Sequence, residues 1–167
     1  MTRRQATRAD PLTPEQRRRN MSAIRGADTK PEMLIRRGLH ASGLRFRLHD
    51  RRLPGTPDLV FRSARAVVFV HGCFWHGHDC DLGVRPRTNT AFWETKINLN
   101  RMRDAQAEVD LLAKGWRVAT VWECALRGRD RRPEARILHD LAQFIRMDSA
   151  DRLAIRGNRP FTPHHRD

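Results

Sequence analysis

Apolar and polar residues follow one another with a period that changes along the chain, and the changes mark the expected elements. Thr13-Pro14-Glu15-Gln16 has the form of a capping box with proline at the first helical position, which predicts a helix to about Arg25. Thr29-Lys30-Pro31-Glu32 is a second such box. Met33, Leu34, Ile35 and Leu39 follow it at helical spacing, and Gly43 is the expected stop. Strand-like segments come next, over 44–49, over 58–61 after the Pro54-Gly55 turn, and over 66–70; the last two are close enough to pair as a hairpin. Val67, Val68, Phe69 and Val70 are apolar without interruption, as in a central strand buried on both faces. Residues 71–89 form a loop too long to be only a connector. A long helix is expected over about 91–114, capped by Thr90 and ended by Gly115, then a strand over 116–123. Pro133 opens a last helix with Ile137, Leu138, Leu141 and Ile145 on one face. The order ααβββαβα predicts an α/β fold, a mixed central sheet flanked by helices. Residues 1–12 are expected to be a disordered basic N-terminus, 13–147 the folded domain, and 148–167, with two prolines and no periodicity, a mobile tail.

Charge narrows the class of partner. The 167 residues carry 33 Lys+Arg against 19 Asp+Glu, a formal net charge of +14, and most of the cations are arginine. Arginine's planar fork suits phosphate oxygens, and a surplus of this size repels itself unless a polyanion is the partner. The footprint is that of a nucleic-acid-binding protein, with a solubilising surface as the plain alternative. No apolar run approaches membrane-spanning length, and MTRRQATRAD lacks the apolar stretch of a secretory signal, so a cytoplasmic protein with no membrane association is expected.

The strongest local chemistry lies in Cys73-Phe-Trp-His76-Gly-His78-Asp-Cys80, two thiols and two imidazoles within eight residues. Three cysteines are an odd number for a disulfide framework, whereas thiolate and imidazole are the ligands of tetrahedral zinc. Cys73, Cys80, one of the two histidines and Cys124 can form a Cys₃His site that pins the loop to the sheet. Spacing does not choose between His76 and His78, and the histidine left over is a candidate catalyst. Asp58, after Pro57 at the mouth of a strand, is a candidate Mg²⁺ carboxylate, with a turn-forming aspartate as the alternative. His71 ends the neighbouring strand and is placed to converge with it. Many restriction-type nucleases carry an acid-x-lysine pair on that next strand. Here it reads Val-Val-Phe-Val-His, so histidine must do the work of the lysine if the chain is a nuclease.

PGTPDLVF, AVVFVHGCFWHGHDC, TAFWETKI, NRMRDAQ and GWRVATVWECALRG resemble, in order, spacing and content, the very short patch repair (Vsr) endonucleases over roughly residues 14–130. The resemblance implies a restriction-endonuclease-like α/β core and a Mg²⁺-dependent enzyme that nicks one strand of double-stranded DNA beside a T:G mismatch. It implies that Asp58 and the backbone carbonyl of Val70 hold Mg²⁺. His76 is then the general base, oriented by Asp104, with His71 and Glu32 completing the site. Structural zinc falls to Cys73, His78, Cys80 and Cys124. The family position at Val70 can be threonine; valine keeps a carbonyl ligand and removes any role for a hydroxyl. Glu32 is also the N3 residue of a capping box, and Asp104 also fits a solvated helix face.

Two aromatic pairs remain, Phe74-Trp75 and Phe92-Trp93. Phe92 is expected in the core. In the family, residues at Phe74, Trp75 and Trp93 enter the DNA stack beside the mismatch, as apolar wedges do; core burial is the commoner fate of such residues. Met21, beside Arg17, Arg18 and Arg19, is expected to add a contact from the opposite groove. The resemblance further implies a monomer acting on the bacterial nucleoid, with other mismatch-repair proteins as partners. The rival is a zinc-stapled DNA-binding protein without catalysis, which would require none of Asp58, His71, His76 and Asp104.

Overall fold

The computed structural model describes Thr13, Glu15, residues 27–148 and residues 150–158. Most of the first expected helix, Met21 and the far C-terminus lie outside the described residues. Helix α1, Lys30–Ala41, starts as its capping box dictates, with the Thr29 side chain accepting from the N–H of Glu32 at 3.4 Å. The returning half of the box differs: Oε2 of Glu32 accepts from the N–H of Asp28, at 2.9 Å, and not from that of the cap. The helix stops on a left-handed Gly43 (φ +82°), with the N–H of Leu44 bonded to the carbonyl of Leu39 and that of Gly43 to His40. This is a Schellman ending. It uses Leu44 in the helix stop, so strand β1 is only Arg47–Leu48 and not the expected 44–49.

Strands β2, Leu59–Phe61, and β3, Ala66–His71, form the expected antiparallel hairpin, with Leu59 opposite Val68 and Val60 opposite Val67. Helix α2, Thr90–Ala113, follows; its cap position is a left-handed Asn89 without a side-chain bond, so Thr90 is the first helical residue and not the cap. Strand β4, Arg117–Trp122, lies parallel to β3, which makes β3 the middle strand of the sheet order β1-β2-β3-β4-β5. A short helix α3, Glu123–Leu126, carries Cys124, which therefore sits just past the strand and not on it. Helix α4 is Glu134–Arg146. Strand β5, Arg152–Ile155, pairs parallel with β4, beyond the boundary expected at 147. Its four residues offer only Leu153 and Ile155 as larger apolar side chains, too few for alternation to be read.

The sheet is mixed and covered on both faces. Ile35 and Leu39 of α1 and Ile137, Leu141, Phe144 and Ile145 of α4 pack with Leu59, Phe61 and Val68 on one side. Leu111 of α2 and Trp116 pack with Val60, Val67 and Phe69 on the other. The alternation of β2 and β3 residues between these clusters is the period-2 geometry of strands. The arrangement is α/β, a mixed sheet flanked by helices, as the order of elements predicts. Phe92, expected in the core, is 59% exposed; the first turn of α2 buries none of its residues, and Ile97 is the first that the helix does bury. Among the described residues no helix is long and apolar enough to cross a membrane.

Candidate active site and metal centre

Beyond β3 the chain turns sharply. The N–H of His78 returns to the carbonyl of Cys73 at 2.9 Å and that of Gly83 to Cys80 at 2.9 Å. These turns bring Cys73, His78 and Cys80 to Cys124 of α3, with one ligand atom from each lying within 4.8 Å of the others. The N–H of Cys124 points at Sγ of Cys73 (3.3 Å), and Sγ of Cys124 lies 3.6 Å from Nδ1 of His78. The N–H of Gly157, just after β5, donates to the same sulfur at 3.4 Å. The His78 ring is stacked on Trp122 at 4.3 Å. Hydrogen bonding from Cys73, with His78 and the Gly157 N–H, drives the Cys124 thiol down to about 4, while Cys124 and burial push Cys73 up. Burial likewise raises Cys80. Three crowded sulfurs cannot all carry charge without a cation. A Cys₃His set with such spacing fits a structural zinc-type ion. Of the two histidines that spacing left open, His78 belongs to this group and His76 does not.

His76 turns the other way. Its Nδ1 is 2.6 Å from Oδ2 of Asp104 on α2, and its ring lies parallel to His71 at 3.9 Å. The loop is held close to α2 by Asn100, whose Nδ2 donates to the carbonyl of Trp75 at 2.9 Å. Gly77 makes the approach possible: it has φ +62°, and a Cβ there would lie 2.6 Å from Ile97. His71 ends β3 beside Trp122, and burial, with the neighbouring His76, holds it down at about 3, a neutral ring.

Asp58 enters from the start of β2. Its Oδ2 accepts from the N–H of Val70 at 2.7 Å. Burial, helped by the charge of Glu32 and opposed by that N–H, pushes its carboxyl up to about 6. His49 Nδ1 is 3.7 Å away, beyond hydrogen-bond length. A half-buried carboxylate without a close counter-charge, flanked by Glu32, is a hard-oxygen group that a divalent cation would satisfy. Glu32 is 2% exposed and lies between Arg36, at 3.4 Å, and His49, at 3.1 Å. The structure thus brings Glu32 to the Asp58 side of the site and joins His71, His76 and Asp104 on the other. His49 is the residue that motif reading missed. The signal that finds it is strand register, since it stands opposite Asp58.

The aromatic residues gather outside the core. Phe74, Trp75 and Trp93 meet edge to face, with centroids 5.0, 5.1 and 6.1 Å apart, and none is buried. Phe92 joins Trp93 at 5.2 Å, and the Lys96 ammonium lies 5.4 Å above Trp75. The group is an aromatic ledge with a cation on it, next to the His76 loop.

A family model described as "DNA mismatch endonuclease Vsr" matches residues 9–82. The chain is 54% identical over 117 residues to "Type II nicking enzyme V.XorIIP" of Xanthomonas oryzae pv. oryzae, covering 70% of this chain and 86% of that relative. It is 45% identical over 129 residues to "DNA mismatch endonuclease Vsr" of Escherichia coli K12, covering 77% and 83%. A third relative, "Type II nicking enzyme V.NmeAIP" of Neisseria meningitidis, is 43% identical over 120 residues, covering 72% and 86%. With a histidine–carboxylate pair, a half-buried aspartate and a thiol cluster gathered where the central strands β3 and β4 end, and with these relatives matched over more than two thirds of the chain, the chain belongs to the Vsr family of DNA mismatch endonucleases.

Proposed function

We propose that this endonuclease nicks one strand of double-stranded DNA beside a T:G mismatch, the product of 5-methylcytosine deamination, and so starts very short patch repair. The observation that carries the reading is the meeting of the His76–Asp104 pair, Asp58 and a half-buried aromatic ledge beyond the end of the central strand β3. Asp58, with the carbonyl of Val70, would hold Mg²⁺. When bound, the ion supplies positive charge that stabilises the phosphate and the leaving oxygen. Asp104 accepts from Nδ1 of His76 and so fixes the tautomer that leaves Nε2 free. That nitrogen takes the proton of the attacking water as its oxygen bonds to phosphorus and the bond to the leaving oxygen breaks. His71, neutral and stacked on His76, holds that ring against the site without adding a competing charge. Glu32, on the far side of Asp58, adds a second carboxylate for water bound near the cation.

Zinc held by Cys73, His78, Cys80 and Cys124 is structural in this reading. Phe74, Trp75 and Trp93 wedge into the stack, where a mismatched step opens at lower cost than a paired one, and Met21 contacts the opposite groove. The +14 chain acts as a monomer on the nucleoid in the bacterial cytoplasm, handing its nick to other mismatch-repair proteins.

The test is a panel of end-labelled duplexes, each with one mismatch in varied flanks, incubated with and without Mg²⁺. T:G duplexes are expected to be nicked on one strand, only with the cation, and not by Asp58→Ala, which still binds them. Equal nicking of matched duplex, or Mg²⁺-dependent nicking by Asp58→Ala, overturns the reading.

A further inference from the structure

His49 directly follows β1. Its N–H donates to the carbonyl of Asp58 at 3.3 Å, which carries the β1–β2 register, Arg47 opposite Val60 and Leu48 opposite Leu59, one pair further. Opposed residues of an antiparallel pair put their side chains on one face. The ring accordingly stands between two carboxylates: Nε2 is 3.1 Å from Oε1 of Glu32, and Nδ1 is 3.7 Å from Oδ1 of Asp58. Glu32 Oε1 is buried and makes no hydrogen bond of good geometry, and Nε2 of His49 is nearer to it than Nε of Arg36 at 3.4 Å. The other Asp58 oxygen is already taken by the N–H of Val70. His49 also holds a left-handed backbone, φ +46°, sparsely populated for a residue other than glycine. Such conformations concentrate where a side chain must be aimed.

We propose that His49 is a positioning residue of the cation-binding carboxylate: its ring stands between Glu32 and Asp58, with Nε2 also 3.5 Å from Nη2 of Arg36, and its Nδ1 is the donor that fixes the direction in which Asp58 faces a divalent cation. The proposal rests on the reading of Asp58 as the cation ligand. The 3.7 Å separation is a small rotation from hydrogen-bond length, and bonds of this kind tighten when the complex forms. A carboxylate held at both oxygens keeps one orientation; held only by Val70, it turns about its last side-chain torsion. Carboxylates that ligate metals are typically held in this way, and loss of the holding group weakens metal affinity roughly 10- to 100-fold.

The experiment measures Mn²⁺ affinity by electron paramagnetic resonance, with the full chain bound to a nicked T:G duplex. It is paired with the Mg²⁺ dependence of single-turnover nicking and with duplex affinity in EDTA. His49→Ala is expected to bind Mn²⁺ roughly 10- to 100-fold more weakly. Its nicking curve should move to higher Mg²⁺ by the same factor, with the rate at saturating Mg²⁺ and the duplex affinity in EDTA near those of the parent. His49→Asn, whose amide overlays Nδ1 and which tolerates a left-handed backbone, should recover most of the affinity. Should the alanine variant not fold, His49→Leu, with bulk but no nitrogen, carries the same expectation. Asp58→Ala should lose Mn²⁺ altogether. If His49→Ala holds Mn²⁺ within about twofold of the parent while Asp58→Ala loses it, the His49 inference fails and the Asp58 reading stands. If Asp58→Ala keeps Mn²⁺, both fail.

Discussion

The thiol cluster and the carboxylate–histidine cluster share one loop and are built in opposite ways. Three members of the first, Cys73, His78 and Cys80, come from eight consecutive residues, and only Cys124 arrives from elsewhere. The second takes Glu32 from α1, His49 from the end of β1, Asp58 from the mouth of β2, His71 from β3, His76 from the loop and Asp104 from α2. His76 and His78 are two positions apart, with Gly77 between them, and serve different clusters. A locally assembled centre can staple a loop that lacks a core of its own, and the stapled loop then holds His76 against Asp104. The distributed centre has no such local insurance and depends on strand register and helix placement.

The largest effect is expected from breaking the staple. Structural zinc contributes about 10–16 kcal/mol of binding energy that is also folding energy in small zinc domains. Cys124→Ser should therefore yield protein with less than one zinc per chain, a much lower melting midpoint and poor nicking, since His76 rides on the same loop. Metal analysis and a thermal melt on one preparation decide it; full zinc content with an unchanged midpoint would separate the loop from the metal and undo the comparison.

Next in size is Asp104→Asn, which touches only the distributed centre. Loss of the group orienting a general base is expected to lower nicking about 10²- to 10⁴-fold, with zinc content unchanged and stability altered by no more than about 1–2 kcal/mol. A drop in zinc content on this substitution would show that the clusters are not independent.

Asp58→Asn sharpens the same contrast through pH, in metal-free protein. The folded carboxyl is pushed up to about 6 from an ordinary 3.8, mainly by burial. The folded state therefore holds a proton that the unfolded state has released between those values, and the ionised form is penalised above about 6. The variant should be more stable than the parent at pH 8, by at most about 3 kcal/mol. That advantage should shrink as pH falls through 6 and be gone below about 4. Chemical denaturation at a series of pH values measures it, and an advantage independent of pH would show that burial is not what raises the carboxyl.

The smallest effect is expected at the aromatic ledge. Trp75 is partly exposed, so Trp75→Ala should cost far less than the roughly 3–5 kcal/mol of a buried large aromatic. It should weaken T:G duplex binding by about 1–3 kcal/mol, the worth of stacking on one base, and matched duplex less. A variant that melts far below the parent while keeping its mismatch preference would return Trp75 to the core.

Legibility followed the range of the interactions. The capping box of α1, its glycine stop and the β2–β3 hairpin are set within a few residues, and all were readable. Strand β5 was not, because its two larger apolar residues acquire meaning only against β4. Phe92 was misplaced because periodicity gives the face of a helix but not the turn at which its burial begins, here at Ile97. His49 carries no motif at all; pairing with Asp58 alone singles it out.

The sequence by itself determined the type of elements, the basic character, the thiol and imidazole inventory and, through its motifs, the family. Those properties depend on residue identity and short spacing, which the chain carries whether folded or not. Tertiary structure decided which histidine joins the thiols, which faces Asp104, that His49 stands between Glu32 and Asp58, and that Phe74, Trp75 and Trp93 gather outside the core. These are matters of register, crossover and burial. Each arises only when segments distant along the chain are forced into contact by a shared hydrophobic core.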